Sequence, residues 1–557
     1  MSKNKKKPSK QKSFFFKDYL ESENLFDTLS DKSIKIVPTR VSFLFYIFLS
    51  LILIFSIKII YLSLFPEKNL SLEKINKSFQ KKRADIIDRN GVILARNVDI
   101  YSAGIRPKLT KDKKKLLINL RLVFPNLDTK SIKKKLNSNN FFYIKKRLTE
   151  EERTKLWLLG DKSIVFEKKQ MRIYPQQDLL SHVLGQIDDN NNGISGLEKF
   201  FDKILKSKKN INSSLKLTID SNLQYIIKKE LKNEKNNFKQ VGSAALLMNV
   251  NNGEILSLVS LPDFDPNHPT NIKAFTENNL ATEARYEMGS TLKIFNAALA
   301  FENNLNLENK KFKIGEGYQI TSEKLIEDKH ILQEELSFDE IFTQSSNVGS
   351  VQLIEEIGIR KQQIFLSKLG LNEKINLQGL STVNNKLPDD WDHLASKFIS
   401  YGYGISISPI SLVSAYSTLV NGGIKIKPTI ILNSDRVQKK ILSESTSLKV
   451  NNLLKKVVNY GTGKKAKVNG LDVGGKTGTS RKLEEGKYSE KKVITSFIGT
   501  FPINKPKYIA FVLFDEPRRN TEEFLENFGG NTAAPTFSRI VRKVSPILNK
   551  NNYLKSY

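Results

Sequence analysis

Residues 286–293 read YEMGSTLK, and the residues that follow, IFNAALAFE, carry apolar side chains at helical spacing. Gly289 and Ser290 therefore open a predicted helix. Within it, an i, i+3 spacing places the Lys293 amine over the Ser290 hydroxyl. A lysine can activate a serine as a nucleophile when burial and neighbouring cations keep its amine neutral. The positive end of the helix dipole favours the alkoxide that results.

This S-x-x-K spacing is uninformative alone, because the chain contains 90 Lys and Arg residues. The alternative at any one site is a solvated helix face. The same spacing also occurs at Ser9–Lys12, Ser131–Lys134, Ser213–Lys216 and Ser489–Lys492.

Two further motifs follow. Ser345-Ser346-Asn347 lies between two predicted helices, the first of which begins with a capping box at residues 337–340. Short polar side chains at such a junction can face a cleft; alternatively, Ser345 or Asn347 only caps the second helix.

The third motif is Lys476-Thr477-Gly478-Thr479, preceded by two glycines. A glycine inside a strand often marks the close approach of another backbone. Lysine and threonine at such an edge can hold a carboxylate by charge and by hydroxyl. The alternative is a plain turn.

Composition narrows the chemistry. The 557 residues contain no cysteine and four histidines, His182, His268, His330 and His393, with no metal-ligand spacing among them. Disulfides, thiolate metal sites and a cysteine nucleophile are excluded, and a metallohydrolase is not expected. The net charge of +32 is compatible with a nucleic-acid partner. However, we find no groove-reading motif, and the lysine, asparagine and isoleucine bias is typical of an AT-rich genome, so nucleic-acid binding is not predicted.

An apolar run from Val41 to Ile57 resumes after Lys58 and ends at Phe65. It is long enough for one membrane-spanning helix, since roughly 20 apolar residues cross the hydrocarbon core. A cleaved signal peptide is disfavoured by the long apolar region, the 40 residues before it and the lack of an A-x-A-like site. Lysines lie on both sides, so the positive-inside rule does not decide the orientation.

The remaining pattern predicts an α/β or α+β fold whose sheet joins distant parts of the chain. Asn90-Gly91 and Asn251-Asn252-Gly253 predict two strand–turn–strand units. Asp220 and Ser221 are candidate N-caps of a helix. Helical patterns fill roughly residues 286–420. Strands are predicted at residues 494–502 and 507–517, and a last helix at residues 534–548.

S-x-x-K, S-x-N and K-T-G in this order resemble the signature of penicillin-binding proteins and serine β-lactamases. The similarity extends to the class B pedestal domain at residues 83–95, where Ala84 replaces a usual glycine, and to its linker at residues 172–202. Met288 stands where the family usually has proline. Residues 400–409 and 528–541 resemble the division-specific branch, whereas the elongation branch typically has glutamine at the position of Tyr403.

The resemblance implies a role for each motif residue. Ser290 would attack the peptide bond between the two terminal D-alanines of a peptidoglycan stem peptide, and Lys293 would accept its proton. Ser345 would relay a proton to the departing D-alanine, while Asn347 would orient Lys293 and the substrate. The backbone N–H groups of Ser290 and Thr479 would form the oxyanion hole, and no metal or organic cofactor would be needed. The third motif would supply the oxyanion-hole and carboxylate-binding residues Lys476, Thr477, Gly478 and Thr479.

The resemblance also implies the architecture. We expect a membrane-anchored multidomain chain with an α/β penicillin-binding, serine β-lactamase-like transpeptidase domain, built on an antiparallel sheet and helices. A mixed α+β elongated pedestal domain would precede it. The expected divisions are a cytoplasmic basic tail (1–40), one transmembrane helix (41–65), the pedestal (66–239) and the transpeptidase domain (240–550).

The expected activity is a septal peptidoglycan D,D-transpeptidase in the cytoplasmic membrane, with its catalytic domain outside. Its partners would be stem peptides as donor and amine acceptor, β-lactams as covalent inhibitors, a membrane lipid II polymerase and other division proteins. Four alternatives remain: an elongation-type transpeptidase, a carboxypeptidase or β-lactamase-like hydrolase, a non-catalytic division scaffold, and a penicillin sensor, which would need an output domain larger than a 40-residue tail.

Overall fold

A computed structural model describes residues 38–64, 83–138, 140–188, 190–207, 213–268, 278–305, 307, 309–328, 330–331, 333–518 and 527–550. The chain divides into two compact units, residues 1–79 and 80–557. The described part of the first unit is one helix, α1 (Pro38–Leu64). Its segment Ser42–Tyr61 is long and apolar enough to cross a membrane, in agreement with the predicted span. The predicted basic tail lies outside the described residues up to position 37.

The second unit begins with a mixed sheet in which β2 pairs with β1, β3 and β4, while β1 also pairs in parallel with β5. The predicted hairpin is confirmed, because β1 and β2 are antiparallel around Gly91 at φ +90°. The strands are β1 (Ile86–Ile87), β2 (Ile93–Ile105), β3 (Phe142–Leu148), β4 (Ile164–Ile173) and β5 (Leu215–Lys216).

Residues 110–160, a lysine-rich stretch, contain β3 and three helices, α2 (Lys113–Val123), α3 (Thr129–Asn137) and α4 (Glu150–Leu158). Leucine and isoleucine side chains from all three helices pack against β2 and form a separate small core. The lysines therefore lie on the outside of a folded layer. Three short helices follow: α5 (Ser181–Leu184), α6 (Gly196–Phe200) and α7 (Asp202–Leu205).

A buried ionic network joins Arg83, just before β1, to Arg172 at the end of β4 and to the short helices α6 and α7. Arg83 and Arg172 both bind the Glu198 carboxylate, at 2.7 Å each, and all three side chains are fully buried. Arg83 also contacts Asp202 at 2.6 Å. Since an unpaired buried charge costs several kcal/mol, the two arginines and two carboxylates hold these segments in one arrangement.

The larger sheet is antiparallel, with five strands in the order β14-β15-β16-β6-β7. The strand pairs predicted from residues 242–262 and 494–517 meet here, so the sheet does join distant parts of the chain. Its strands are β6 (Gly242–Asn249), β7 (Ile255–Leu261), β14 (Gly474–Glu484), β15 (Lys487–Phe501) and β16 (Tyr508–Asp515).

Both faces of this sheet are buried. Alternate residues of β16 belong to two different cores: Ile509, Phe511 and Leu513 to one, and Tyr508, Ala510, Val512 and Phe514 to the other. This alternation follows the two-residue period of a strand. One face packs on helices α8 (Ser221–Asn237) and α16 (Ala533–Lys550). Asp220 caps α8 by accepting from the backbone N–H groups of Asn222 and Leu223, as predicted.

The other face of the sheet packs against a layer of helices. These helices confirm part of the helical pattern that was predicted for residues 286–420. Short strand pairs between residues 311 and 337 interrupt it: β8 (Lys311–Lys313), β9 (Tyr318–Thr321), β10 (Lys324–Ile326) and β11 (Glu335–Ser337). A further pair follows, β12 (Ile424–Ile426) and β13 (Gln438–Lys440). The helices are α9 (Lys293–Glu302), α10 (Phe338–Thr343), α11 (Asn347–Ile357), α12 (Ile359–Lys368), α13 (His393–Ser400), α14 (Pro409–Val420) and α15 (Glu444–Tyr460).

Candidate active site

The first motif lies where a single 3₁₀ turn, Gly289–Leu292, leads into α9. Ser290 is half-buried in this turn, while Lys293 is fully buried. The backbone N–H of Lys293 donates to the Ser290 carbonyl, so the turn itself fixes the spacing of the pair. In a 3₁₀ turn residues i and i+3 lie one above the other, which brings the serine and lysine to one face.

Glycine brings this turn against the third motif. Gly289 has φ +52°, and a Cβ there would lie 2.3 Å from the carbonyl oxygen of Thr479. The backbone before Ser290 therefore touches the backbone of Thr479 on β14, which any side chain would prevent. The two N–H groups predicted to form an oxyanion hole, those of Ser290 and Thr479, thus belong to segments in contact.

The amine of Lys293 is bound by the second motif. Its Nζ donates to the Ser345 carbonyl at 2.5 Å and to Asn347 Oδ1 at 2.7 Å. The Ser345 hydroxyl lies 3.3 Å away. Ser345 has φ +64°, which is unusual for a serine, and this conformation lets its carbonyl and its hydroxyl both face the lysine.

Lys476 approaches the same hydroxyl from β14. Its Nζ donates to Ser345 Oγ at 2.9 Å, and the side chain is fully buried. Ser345 Oγ thus lies between two lysine amines. The structure therefore brings all three predicted motifs together in one hydrogen-bonded cluster.

Burial lowers the pKa of Lys293 to about 7, although Asp328 acts in the opposite direction. Burial also lowers the pKa of Lys476, and the nearby Lys293 lowers it further. Two adjacent buried amines resist holding two positive charges, since removing charge from water is costly. A neutral Lys293 has two N–H donors for the Ser345 and Asn347 oxygens, and its lone pair remains available to accept a proton from Ser290.

We expect the pH dependence of acylation to reflect the pKa of Lys293. Because the neutral amine is the active form, the second-order rate constant with a penicillin should rise with pH and reach half its plateau near pH 7. Below that midpoint it should fall about tenfold per pH unit. Stopped-flow measurement between pH 5 and 9 tests this. A rate constant that still rises about tenfold per pH unit between pH 8 and 9 would contradict it, because the amine would then keep its ordinary pKa.

The edge of β14 carries the residues predicted to bind a carboxylate. Thr477 Oγ1 lies 2.9 Å from Thr462 Oγ1, and Thr479 Oγ1 accepts from the Gly529 N–H at 3.0 Å. At Gly478 a Cβ would lie 2.4 Å from Ser496 Oγ and 2.7 Å from the Met288 carbonyl. The strand is thus closely packed between the 288–291 turn and its neighbour β15.

The segment at residues 528–530 lies against the same strand. A Cβ on Gly529 would be 2.4 Å from the Gly478 carbonyl oxygen. Neither Thr462 nor Gly529 was among the predicted site residues. The resemblance at residues 528–541 indicates only the division-specific branch, and neither that segment nor the residues around Thr462 predict a place in the site.

The alternative reading of the second motif, in which Ser345 or Asn347 only caps the second helix, is wrong. Neither Ser345 nor Asn347 caps α11; Ser346 does, by accepting from the Gly349 N–H at 2.8 Å. Because Ser346 satisfies the helix end, the side chains of Ser345 and Asn347 remain available to the two lysines. The motif therefore combines one capping residue with two that face the site.

A tyrosine cluster lies beside the 286–293 segment. Tyr403 packs edge-on against Tyr488 with ring centroids 5.2 Å apart, and its hydroxyl accepts from the Arg481 N–H at 3.2 Å. Glu287 accepts from Tyr488 at 3.0 Å and from the Gly404 N–H at 2.8 Å. Burial raises the pKa of Glu287. The Tyr403 hydroxyl thus contacts Arg481, which lies two residues beyond Thr479 along β14.

Gly402→Ala is expected to reduce acylation although position 402 carries no reactive group. The new Cβ would lie 1.9 Å from the Gly289 carbonyl oxygen and would displace the turn that holds Ser290. A displacement of about 1 Å can cost roughly 100-fold in rate. Penicillin acylation rates measure the effect.

Gly404→Ala is the matched control. Gly404 also has positive φ (+74°), but the nearest atom to its Cβ, in Phe398, is 3.7 Å away. Because both positions have positive φ, both variants carry backbone strain of about 1–2 kcal/mol and should lose some thermal stability. Equal acylation rates in the two variants would show that the contact with Gly289 is unimportant.

The arrangement fits a serine nucleophile with lysine as its base, because the buried Lys293 follows Ser290 in the same turn and its amine is bound by the Ser345 carbonyl and Asn347. Within the residues that the structure describes, no cluster of three or more His, Cys, Asp or Glu side chains offers a metal site. Fold and site together define the class of serine acyltransferases that act through an acyl-enzyme.

The particular family follows from comparison with known proteins. Residues 243–542 match the penicillin binding protein transpeptidase domain, and residues 79–237 match the penicillin-binding protein dimerisation domain. The chain belongs to the penicillin-binding protein transpeptidase family, as a class B member with FtsI-type relatives. This confirms the resemblance seen in the sequence.

Individual relatives agree. The chain is 30% identical over 479 residues to the probable peptidoglycan D,D-transpeptidase FtsI of Caulobacter vibrioides, covering 84% of this chain and 81% of that protein. It is 32% identical over 533 residues to stage V sporulation protein D of Bacillus subtilis, covering 86% and 81%. Penicillin binding protein 2X of Streptococcus thermophilus shares the fold, with a TM-score of 0.69, 20% identity, and coverage of 85% and 80%.

Proposed function

We propose that this chain is the D,D-transpeptidase that cross-links peptidoglycan stem peptides at the division septum. The observation that carries the proposal is the buried cluster around Ser345 Oγ, which accepts from Lys476 at 2.9 Å and lies 3.3 Å from Lys293 Nζ. This cluster connects the base beside the nucleophile to the cation at the substrate-binding edge. The family and its FtsI-type relatives support the same activity.

The first chemical step forms an acyl-enzyme. Ser290 Oγ attacks the carbonyl carbon between the two terminal D-alanines, and its proton passes to Lys293. The oxyanion that forms receives hydrogen bonds from the backbone N–H groups of Ser290 and Thr479, each commonly worth about 3 kcal/mol. Collapse breaks the C–N bond, and the departing D-alanine amine takes a proton through Ser345.

Binding of the donor depends on β14. The terminal carboxylate meets the hydroxyls of Thr477 and Thr479 and the buried charge of Lys476, while Gly478 keeps the strand edge close to the turn. Asn347 holds Lys293 and the substrate amide. An acceptor amine then attacks the Ser290 ester, which forms the cross-link and returns the proton to Ser290. β-Lactams, which resemble the donor, acylate the same serine.

The proposed domain division is the one that the family implies. Residues 1–40 form the cytoplasmic tail, 41–65 the membrane anchor, 66–239 the pedestal and 240–550 the transpeptidase domain. Because cross-linking takes place outside the cytoplasmic membrane, the chain after Phe65 lies on the outer side. The expected partners are a membrane lipid II polymerase, which would supply the glycan strands, and other division proteins bound by the pedestal.

A hydrolase is the second candidate. A hydrolase would need a base that directs water to the acyl-enzyme. The three motifs contain no base for this purpose besides Lys293, which already serves the nucleophile. The two candidates differ in the fate of the acyl group: an amine acceptor captures it in a transpeptidase, whereas water releases it in a hydrolase.

The test uses the full chain in detergent with a lipid II polymerase and lipid II. We expect cross-linked muropeptides to appear in muramidase digests analysed by mass spectrometry, and penicillin to abolish them. Trimmed stem peptides without cross-links would support the hydrolase. Absence of both products, from a protein that retains its thermal transition, would contradict the proposal.

The septal assignment needs a cellular test. Depletion of the chain is expected to produce filaments, because cell growth continues while the septum fails to close. Rounded cells would instead indicate the elongation branch.

A further inference from the structure

A cavity of about 390 Å³ lies outside the three motifs, between the sheet of β2, β3 and β4 and the segment around Pro266. Its volume is that of a site for a small organic ligand. Asn267 ties the two walls together, because its Oδ1 accepts from the Tyr174 N–H at 3.0 Å and its amide donates to the Tyr174 carbonyl at 3.0 Å. Arg147 donates to the Asn267 carbonyl at 2.9 Å. Contacts between distant parts of the chain therefore fix the shape of the cavity.

The lining of the cavity is strongly basic. Asp188 is the one acid among the described lining residues, and its carboxylate already accepts from N–H groups of residues 190–192. Lys169 donates to Tyr143 at 2.8 Å and pairs with Glu167 at 3.3 Å, which leaves its amine a third N–H. A cleft lined by charges of one sign attracts ions of the opposite sign, so this cavity favours an anion. The cationic lining residues are Lys146, Arg147, Lys169 and Arg172.

Arg172 offers a hydrogen-bond donor that the protein itself does not use. Its side chain is fully buried, and its Nε donates to Glu198 at 2.7 Å. Its Nη1 donates to the Ala84 carbonyl at 2.9 Å and to Asn97 Oδ1 at 3.2 Å. The remaining group, Nη2, is buried without a hydrogen-bond partner. A buried donor left unpaired costs about 1–3 kcal/mol, which an oxygen atom of a bound anion would recover.

Gln170 adds an unused acceptor to the same lining. Its Nε2 donates to Asp99 at 3.2 Å, whereas its Oε1 is buried without a donor. A ligand that serves both orphan groups needs an anionic oxygen for Arg172 and an O–H or N–H for Gln170. A phosphorylated polyol or sugar has a hydroxyl beside its phosphate. Because a phosphate carries a charge of about −1.5 to −2 at pH 7, it also matches the excess of cations better than one carboxylate does.

We propose that this cavity binds the phosphate group of a hydroxyl-bearing phosphate ester, such as a glycerol phosphate or a sugar phosphate. Arg172 Nη2 and the amines of Lys146 and Lys169 bind the phosphate oxygens, and Gln170 Oε1 accepts from a ligand hydroxyl. The site is separate from the acylation chemistry, because none of the described residues that line it belongs to the three motifs.

Isothermal titration calorimetry of the full chain in detergent, with glycerol 3-phosphate as the probe, tests the proposal. We expect one binding site per chain, for which inorganic phosphate competes and glycerol does not. Absence of binding up to about 10 mM glycerol 3-phosphate overturns the proposal. Binding of glycerol or of acetate as tight as that of glycerol 3-phosphate also overturns it, because the phosphate would then not be what the cavity recognises.

Two matched double variants locate the site. Lys146→Gln with Lys169→Gln removes two charges from the lining and should weaken binding about tenfold or more. Lys145→Gln with Lys168→Gln removes the same number of charges from the neighbouring positions, whose amines pair with carboxylates at 2.5 and 2.9 Å and do not line the cavity. Its affinity should stay within about twofold of wild type. Equal weakening in both double variants would show that only net charge matters, and it would overturn the proposal.

Arg172→Lys examines the buried donor. A lysine can still pair with Glu198 but lacks the second N–H group of the guanidinium fork, so the affinity should fall about tenfold. Wild-type affinity in this variant overturns the proposal, and the Lys146 and Lys169 double variant decides the question if Arg172→Lys does not fold. All of these variants should be acylated by penicillin within about twofold of the wild-type rate, since they lie outside the cluster around Lys293.

Discussion

Ser290→Ala is expected to abolish both covalent penicillin labelling and cross-link formation. With no hydroxyl at position 290, the acyl-enzyme cannot form, and loss of a nucleophile of this kind typically costs about 10⁴-fold or more in rate. The fold should persist, because Ser290 is half-buried in a turn held by backbone contacts of its neighbours. Gel fluorescence after incubation with a fluorescent penicillin measures the loss.

Ser489→Ala is the control for this variant, since Ser489 and Lys492 repeat the S-x-x-K spacing on β15. It should label as the wild type does. Labelling of Ser290→Ala at the wild-type rate would mean that the nucleophile lies elsewhere. Equal loss in both variants would point to a general effect of serine removal.

Lys293→Met is expected to slow acylation by about 10²–10⁴-fold, which is the usual contribution of a positioned general base. Methionine fills similar space but cannot accept the Ser290 proton. It also leaves the Ser345 carbonyl and Asn347 Oδ1 without the donor that reaches them at 2.5 and 2.7 Å. Stopped-flow acylation at pH 8 measures the change, and thermal unfolding monitors the fold.

Lys228→Met separates the loss of a base from the loss of a buried amine. Lys228 lies on α8 and is 5% exposed, and its amine pairs with the Asp263 carboxylate at 2.5 Å. This variant should lose stability while its acylation rate stays within about twofold of wild type, since it lies outside the cluster. A Lys293→Met rate equally close to wild type would exclude lysine as the base.

Periodicity and turn chemistry predicted much of the fold. Residues 507–517, KYIAFVLFDEP, read as a strand, and the structure places β16 there with both faces buried. The hairpin at Gly91 and the cap at Asp220 also follow from local residues. Local signals could not indicate the short strands between residues 311 and 337, because segments of three or four residues carry too little periodicity.

The site was predictable where residue types form a pattern and not where contacts are long-range. Lys293, Ser345 and Lys476, one residue from each motif, come together in one hydrogen-bonded cluster. Asp328 gave no signal, since one acidic residue among 58 is unremarkable until the fold brings it to the start of α11, where it accepts from a backbone N–H at 2.8 Å. Similarly, a serine-rich helix start does not reveal which serine is the cap, and the structure assigns Ser346.

The central claim is that Ser290 becomes acylated, and peptide mapping tests it directly. Trypsin cleaves after Arg285 and Lys293, so the peptide YEMGSTLK carries this serine and no other. After brief treatment with benzylpenicillin and digestion at low pH, we expect this peptide to gain the mass of one penicillin molecule, with fragment ions that place it on Ser290. An unmodified peptide together with an adduct at another residue would contradict the account.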